Sequence, residues 1–500
     1  MRKVLIANRG EIACRIASTL HELGLRSVAV YSAADQGALH TRMADEAFAI
    51  GPAEPRESYL RPEALLEAAR KSGADAVHPG YGFLAENAGF AAAVESAGLV
   101  FIGPTPEQIR AMGDKRAARG IAREAGVPVV PGAEGDDAAA LARAAEAMGY
   151  PVMVKAALGG GGKGMRVVRD AADLAEAVET ARRVAASAFG DGTVYLERVL
   201  ERPRHVEVQV LGDGRGAAVH LFERECSLQR RHQKVVAESP SPAVDDALRA
   251  RMCEAAVALT RAVRYRGAGT VEFLVHGGAF HFLEMNTRLQ VEHPVTELVT
   301  GVDLVRQQIL VASEGRLPFA QDQLRRRGHA FEARVYAEDP ARGFLPQSGD
   351  IVRLRWPHGA FVRVDRGFEA GDSVTVHYDP LLAKIIAYGP TRELALERLT
   401  GALDAARVHG VVTNLPFLRA LARDPAVKRG EFDTEWIERD FLEGFTALAT
   451  APAPELALAA AAIAEALGLA RPEPSVAKAK GAPRAGPFDA LGRWRHPGLD

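Results

Sequence analysis

From Glu284 to Glu297 the chain reads Glu-Met-Asn-Thr-Arg-Leu-Gln-Val-Glu-His-Pro-Val-Thr-Glu, and in the first nine residues polar groups fall on every second position. Successive side chains of an extended strand point to opposite faces. Glu284, Asn286, Arg288, Gln290 and Glu292 are therefore expected on one side, with Met285, Leu289 and Val291 on the other. Carboxylates, amides and a guanidinium along one edge suit a metal, a phosphate or a small anion, and suit a packed core badly. The alternative is a solvated strand face carrying a salt bridge. A third carboxylate just upstream favours a site.

That carboxylate is Glu272. Thr270 to Val275 and Ala279 to Asn286 alternate in hydrophobicity on either side of His276-Gly277-Gly278, which predicts a hairpin. An odd-numbered loop centred on Gly278 would set Glu272 directly opposite Glu284. Like charges there repel, and a hard divalent cation would remove the cost. Mg²⁺, which takes one or two carboxylates and keeps several waters, fits Glu272, Glu284 and the neighbouring Asn286.

A second segment asks for phosphate. Pro151 to Ala157 reads as a short strand containing Lys155, Gly159 to Gly164 is glycine broken only by Lys163, and Met165 to Arg169 reads as a returning strand. A dinucleotide fingerprint would open a helix, and this run opens a strand. A Walker loop needs Ser or Thr where Gly164 stands. What remains is a glycine flap whose N–H groups can close over phosphates, or a plain connecting loop.

At 500 residues the chain is long enough for about three domains. Residues 1–113 alternate strand and helix (Lys3 to Ala7, Glu11 to Leu23, Ser27 to Tyr31, Ala76-Val77), as a parallel α/β unit does. Residues 114–312 hold the glycine flap, within a smaller part at about 130–204, and then a strand-rich core. Residues 328–441 form a second β-rich unit punctuated by glycines. The stretch 442–500 carries an alanine-rich helix and a proline-rich linker. The fold class expected is thus α/β and α+β multidomain.

Charge and cysteine content narrow the function. Lys and Arg number 62 against 64 Asp and Glu, which gives no electrostatic case for nucleic acid or an anionic membrane. The longest apolar stretch, Leu456 to Ala470, is broken by Glu465 and reads as a helix that does not span a membrane. Cys14, Cys226 and Cys253 lack metal spacing and favour a reducing compartment, and with no room for a signal peptide ahead of the first strand the expected location is cytoplasmic.

Taken in order, Lys115, Lys155, the glycine flap, Glu197, His205 to Gln209, Cys226 to Lys234, Glu272, Glu284 and Arg288 to Glu297 resemble ATP-grasp enzymes, specifically the biotin carboxylase component of biotin-dependent carboxylases. The opening Lys3 to Ala13, the block His78 to Asn87 and Arg334 followed by Ala337 to Pro340 are similar to the same family. The resemblance covers roughly residues 1 to 445. It implies an N-terminal biotin carboxylase domain, an ATP-grasp domain with a glycine-rich lid and a β-rich biotin carboxylase C-terminal domain. The reaction implied is ATP- and bicarbonate-dependent carboxylation of biotin through carboxyphosphate.

The resemblance and the chemistry together assign roles. Lys115, Lys155, Gly160, Gly161, Gly162 and Gly164 are expected to hold phosphates, and Glu272, Glu284 and Asn286 to hold Mg²⁺ or Mn²⁺. Glu197 would meet the adenine, and His205 and Gln229 the ribose, with His232 beside them. Lys234, Arg288, Gln290 and the Val291 amide would cradle bicarbonate. Glu292 would be the general base, and Arg334 would stabilise the oxygen of deprotonated biotin. Taken singly, Lys234 and Arg334 read as surface ion pairs and His205 and His232 as structural hydrogen-bond donors, and only the joint set reverses that reading. Cys226, His78 and Tyr81 are expected to be structural. No Met is followed by Lys, so the family's biotinylated Met-Lys-Met motif is expected on a separate carrier or beyond residue 500. The other partners implied are a second copy, in a homodimer or larger complex, and a carboxyltransferase subunit. Another ATP-grasp ligase forming an acyl phosphate and a non-catalytic scaffold are the competing readings.

Overall fold

The computed structural model describes residues 1–134, 138–156, 165–189, 192–450, 459–460 and 462–463. Residues up to Thr450 form one unit. The expected alanine-rich helix and linker lie outside the described residues, apart from 459–460 and 462–463, which are helical. Among the described residues no helix is long and apolar enough to cross a membrane.

Five parallel strands open the chain: β1 (Lys3–Ile6), β2 (Arg26–Ser32), β3 (Glu46–Gly51), β4 (Ala76–His78) and β5 (Val100–Phe101), in the order β3-β2-β1-β4-β5. Val4, Leu5 and Ile6 are apolar without alternation and buried, as in a sheet covered on both faces. Helix α1 (Gly10–Glu22) follows β1. The chain order reverses between β1 and β4, and a crevice opens beyond the strand ends at such a point. There Asn8 Nδ2 donates to the carbonyls of Pro79 (2.8 Å) and Tyr81 (2.7 Å) and ties the two loops together. Gly80 is required in this junction: its φ is +63° and a Cβ would come within 2.9 Å of the Asn8 amide.

After helix α2 (Lys115–Glu124) comes a four-stranded antiparallel sheet of β6 (Gly132–Glu134), β7 (Val152–Ala156), β8 (Arg166–Val168) and β9 (Val194–Arg198), in the order β6-β9-β7-β8. β7 and β8 are the strands expected on either side of the glycine run. Gly160, Gly161, Gly162 and Gly164 lie outside the described residues.

Ten later strands carry the site and its support: β10 (Arg204–Asp213), β11 (Ala218–Glu225), β12 (Gln229–Arg230), β13 (Gln233–Lys234), β14 (Val236–Ser239), β15 (Arg266–His276), β16 (Ala279–Asn286), β17 (His329–Tyr336), β18 (Val362–Arg366) and β19 (Leu381–Gly389). Eight of them form one antiparallel sheet in the order β16-β15-β10-β11-β14-β17-β19-β18. A single sheet thus runs from the strand-rich core into the β-rich unit that follows. Helix α3 (His293–Thr300) lies on it, packing Val295 and Val299 against Ala330 and Ile386.

The hairpin β15–β16 pairs Glu272 with Glu284, but by a different route from an odd loop. The turn is Gly277-Gly278, with φ of +57° and +75°, the two-residue form that suits strand twist. His276 to Phe273 pair regularly with Ala279 to Phe282, and the register then shifts, leaving Leu283 as a bulge that brings Glu284 opposite Glu272. The alternating face also ends sooner than expected. β16 stops at Asn286, a loop carries Arg288 and Gln290, and Glu292 is the N-cap of α3. Pro294 explains the switch, since proline fits a first helical turn and would remove a ladder donor from a strand.

Gly278→Val forces a β-branched residue to positive φ at a position with open space around it. It should cost about 1–2 kcal/mol, read as a lower urea midpoint; an unchanged midpoint would mean that the turn does not hold the register.

Candidate active site

A cavity of about 740 Å³ opens between the lid sheet, α2, the β12–β13 turn and the hairpin β15–β16. Lys155 on β7, Glu197 on β9 and Lys115 at the start of α2 line its lid side. His205, Lys234, Glu272, Glu284 and Asn286 form the floor, Gln229 and His232 one rim, and Arg288, Gln290, Val291 and Arg334 the far end. Glu292, wholly buried, stands behind that end. The fold therefore gathers every described candidate into one place, from six separate stretches of sequence.

Lys234 is the centre of the charge arrangement. Its Nζ lies 2.5 Å from Glu207, 2.8 Å from Glu272 and 2.7 Å from Glu292. Burial alone would push the ammonium down, but the three carboxylates outweigh it and raise it well above the ordinary lysine range. Glu292 also accepts from Arg334 at 2.6 Å. Burial pushes its carboxyl up, and Lys234, Arg334 and Arg224 pull it further down, so that it ends well below the usual carboxylate range. Cys226 Sγ is 3.7 Å from Glu292. Burial holds that thiol protonated and unreactive.

The metal candidates have the right chemistry for a hard cation. Glu272, Glu284 and Asn286 offer oxygen donors toward the cavity, Glu284 being more than a third exposed. In the protein alone, cations from other elements offset the Glu272–Glu284 repulsion: Lys115 stands 3.4 Å from Glu284, and Lys234 and His205 stand 2.8 and 2.9 Å from Glu272. Burial lowers the His205 imidazole, but Glu272 more than compensates and its affinity for a proton rises. Two other groups, His205-Glu207-Glu272 and Glu207-Cys226-Glu292, also converge. Lys234 ion-pairs with both and supplies their counter-charge in the protein alone.

At the lid side, Arg119 and Lys155 both pair with the Glu197 carboxylate. Burial, with Lys115 and Arg119 nearby, brings the Lys155 ammonium down to about 7. At the far end, Arg288 donates to Glu86 (3.0 Å), Gln290 (2.8 Å) and Asn286 (3.2 Å). The β12–β13 turn puts Arg231 and His232 at φ of +47° and +65°, and Glu438 accepts from the Arg231 amide at 2.7 Å. Non-glycine residues held this way are a mark of functional sites.

Sequence reasoning missed Glu207, Arg224, Glu86 and Lys384. Glu207 carried a signal, because His205, Glu207 and Gln209 repeat on β10 the every-second-residue pattern seen at Glu284 to Glu292. Arg224 is wholly buried and bonds Glu207, Gln209, Thr270 and Thr296 across neighbouring strands and α3. Glu86 lies in the block His78 to Asn87 without a role of its own being legible there, and nothing local in the sequence marks Lys384. A second cavity of about 350 Å³ shares Arg288, Val291 and Arg334 with the first and reaches Asn8, Tyr81 and Tyr378 at the N-terminal crevice. Tyr81, expected to be structural, lines it, whereas His78 is fully buried.

The chain matches three families: biotin carboxylase, N-terminal domain, over residues 1–109; carbamoyl-phosphate synthase L chain, ATP binding domain, over 114–320; and biotin carboxylase C-terminal domain over 332–439. It is 51% identical over 444 residues to the mitochondrial alpha subunit of methylcrotonoyl-CoA carboxylase from Oryza sativa subsp. japonica, covering 88% of this chain and 60% of that protein. A pyruvate carboxylase subunit of Methanothermobacter thermautotrophicus is 50% identical over 447 residues, covering 89% of this chain and 91% of that one. The biotin carboxylase domain dimer of Hydrogenobacter thermophilus 2-oxoglutarate carboxylase, solved with MgADP, ADP and bicarbonate, superposes with a TM-score of 0.83 at 43% identity, covering 87% of this chain and 97% of that one. The chain thus spans about six-tenths of the rice protein and nearly all of the Methanothermobacter one. With half of its aligned residues shared along almost the whole of the latter, the chain belongs to the biotin carboxylase family.

Proposed function

We propose that the chain performs the first half-reaction of a biotin-dependent acyl-CoA carboxylase: it converts ATP and bicarbonate to carboxyphosphate and carboxylates biotin presented by a carrier. One observation carries this reading. The cationic lid side, the oxygen-donor floor and the Arg288–Arg334 end line one cavity, and a buried carboxylate waits behind its far end beside a second cavity.

Lys115 and Lys155 bind the phosphates, and their fixed positive charge stabilises the transferring group. Glu272, Glu284 and Asn286 would hold Mg²⁺ (or Mn²⁺), which supplies further charge neutralisation along the phosphates. Glu197, His205, Gln229 and His232 take the nucleoside side. Arg288, Gln290, Lys234 and the Val291 amide hold bicarbonate, the Arg288 fork matching its planar face. Glu292 takes the bicarbonate proton. In the protein alone Lys234 and Arg334 make it a poor base; an anion that draws these cations away leaves burial to raise its proton affinity. The base is thereby activated by the substrate it serves. Arg334 then faces the ureido oxygen of biotin in the second cavity.

A carrier domain or protein, a second copy of the chain and a carboxyltransferase subunit complete the assembly in this reading. The three unpaired, buried cysteines suit a reducing compartment, here the cytoplasm. The test is ADP release with Mg²⁺-ATP and bicarbonate, with and without free biotin. Stimulation by biotin that vanishes without bicarbonate supports the proposal, and turnover indifferent to biotin refutes it.

Glu292→Gln should abolish bicarbonate-dependent turnover and leave the ATP dissociation constant within about threefold, because the side chain faces no phosphate; a large loss of nucleotide binding would contradict the base. Arg334→Ala should slow biotin carboxylation by about 10² or more while bicarbonate-dependent ATP cleavage falls far less, and equal losses would remove its role at biotin. Lys155 is largely neutral above about pH 7 in the free protein and charged beside phosphate. Nucleotide binding should therefore take up a proton at about pH 8, seen by calorimetry in buffers of different ionisation enthalpy and lost in Lys155→Gln.

A further inference from the structure

Below helix α3, one face of β17 carries Ala330, Glu332 and Arg334 in succession, since alternate residues share a face. Across the neighbouring strands Arg334 pairs with Lys384 and Lys384 with Asp365, so a row of charge runs back from the far end of the cavity. Each member of the row has a partner. Arg334 holds Glu292, and Lys384, wholly buried, reaches Glu11 at 3.1 Å, Asp365 at 3.6 Å and the Val291 carbonyl at 2.9 Å.

Glu332 breaks the pattern. It is 1% exposed, and neither carboxyl oxygen has a hydrogen-bond partner among the described residues. Its nearest cation is Arg334, with Oε1 3.9 Å from Nε, too long for a hydrogen bond. A buried ionised carboxylate left without partners is costly, and a neutral acid in the same place costs far less.

We propose that Glu332 is a positioning residue for the biotin half of the reaction: as a neutral acid it leaves Arg334 to Glu292 and the substrate, and once ionised it draws the guanidinium back and slows transfer to biotin. The proposal rests on the function assigned above.

The surroundings agree with the geometry. Burial, with Glu292 and Glu11 adding to it, outweighs Lys384 and Arg334 and raises the Glu332 carboxyl to about 8. His293, at the start of the helix α3 that covers this face of the sheet, is kept neutral by burial. Glu11 on α1 is itself raised by burial, and Asp365 on β18 is committed to Arg363 and Lys384. The sign is fixed: Glu332 is protonated below about pH 8 and gains its charge above it. An anion in the site would delay that ionisation further.

The experiment compares the full chain with Glu332→Gln, which keeps the shape of the neutral acid. Between about pH 7 and pH 9.5 the wild-type kcat/KM for free biotin should fall about tenfold for each unit beyond the midpoint. Glu332→Gln should remove that limb, while at pH 7 and saturating ATP, where Glu332 is neutral, bicarbonate-dependent ATP cleavage without biotin differs less than about twofold between the two proteins. Infrared difference spectra of the unliganded proteins give a reading that needs no turnover: a protonated-carboxyl band at about pH 7, absent from Glu332→Gln and titrating away with rising pH. Identical alkaline limbs in the two proteins, or a loss in the variant that is uniform across pH, would overturn the proposal, as would absence of the band in the wild type. A chain that shows no biotin stimulation at any pH refutes the assigned function instead, and the infrared band then decides the protonation of Glu332 alone.

Discussion

A buried ammonium between three carboxylates is the interaction on which the site depends. Lys234 comes from the short hairpin β12–β13, Glu207 from β10, Glu272 from β15 and Glu292 from the cap of α3. Breaking such a cluster by removing one partner leaves uncompensated buried charge, typically at 3–5 kcal/mol. The cluster therefore fixes four elements to one another and defines the end of the cavity. The same cations hold the Glu292 carboxyl well below the usual range, so one set of contacts stabilises the protein and, in the proposed reaction, restrains the base until an anion competes for it.

Much of this was legible in the chain because two periodicities carry it. The β1, α1 and β2 segments lie within a residue or so of where the apolar pattern puts them, and the hairpin emerges from alternation on both arms. The Glu272–Glu284 pairing was foreseen although its cause was not. A bulge at Leu283 changes the register in a way that no side-chain pattern reports, and two wrong details, the loop length and the regular ladder, cancel. Beyond Asn286 the alternating pattern continues in the sequence but the strand does not, because Pro294 starts a helix and the polar residues are displayed by a loop and a cap.

What was not legible is contact across long sequence separations. Lys384 reaches Val291 from β19, and Arg224 bonds residues on β10 and β15 and on α3. These residues look like stray charges in apolar strands until the sheet order sets them beside one another. Cys226 was readable for the opposite reason: no histidine adjoins it in sequence, and in the fold burial, with Glu207 and Glu292 adding to it, keeps its thiol protonated.

The continuity of the eight-stranded sheet has a kinetic consequence. At the far end of the cavity Arg334 stands on a strand of that sheet and Glu292 caps a helix packed against it, with Arg288 and Gln290 on the intervening loop and Lys234 on the short hairpin, whereas Lys155 and Glu197 stand on a separate four-stranded sheet. Opening that separate sheet can release nucleotide without disturbing the ladder beneath Arg334. In the proposed reaction, nucleotide exchange at the four-stranded sheet then need not wait on any change in the eight-stranded ladder at the other end of the cavity.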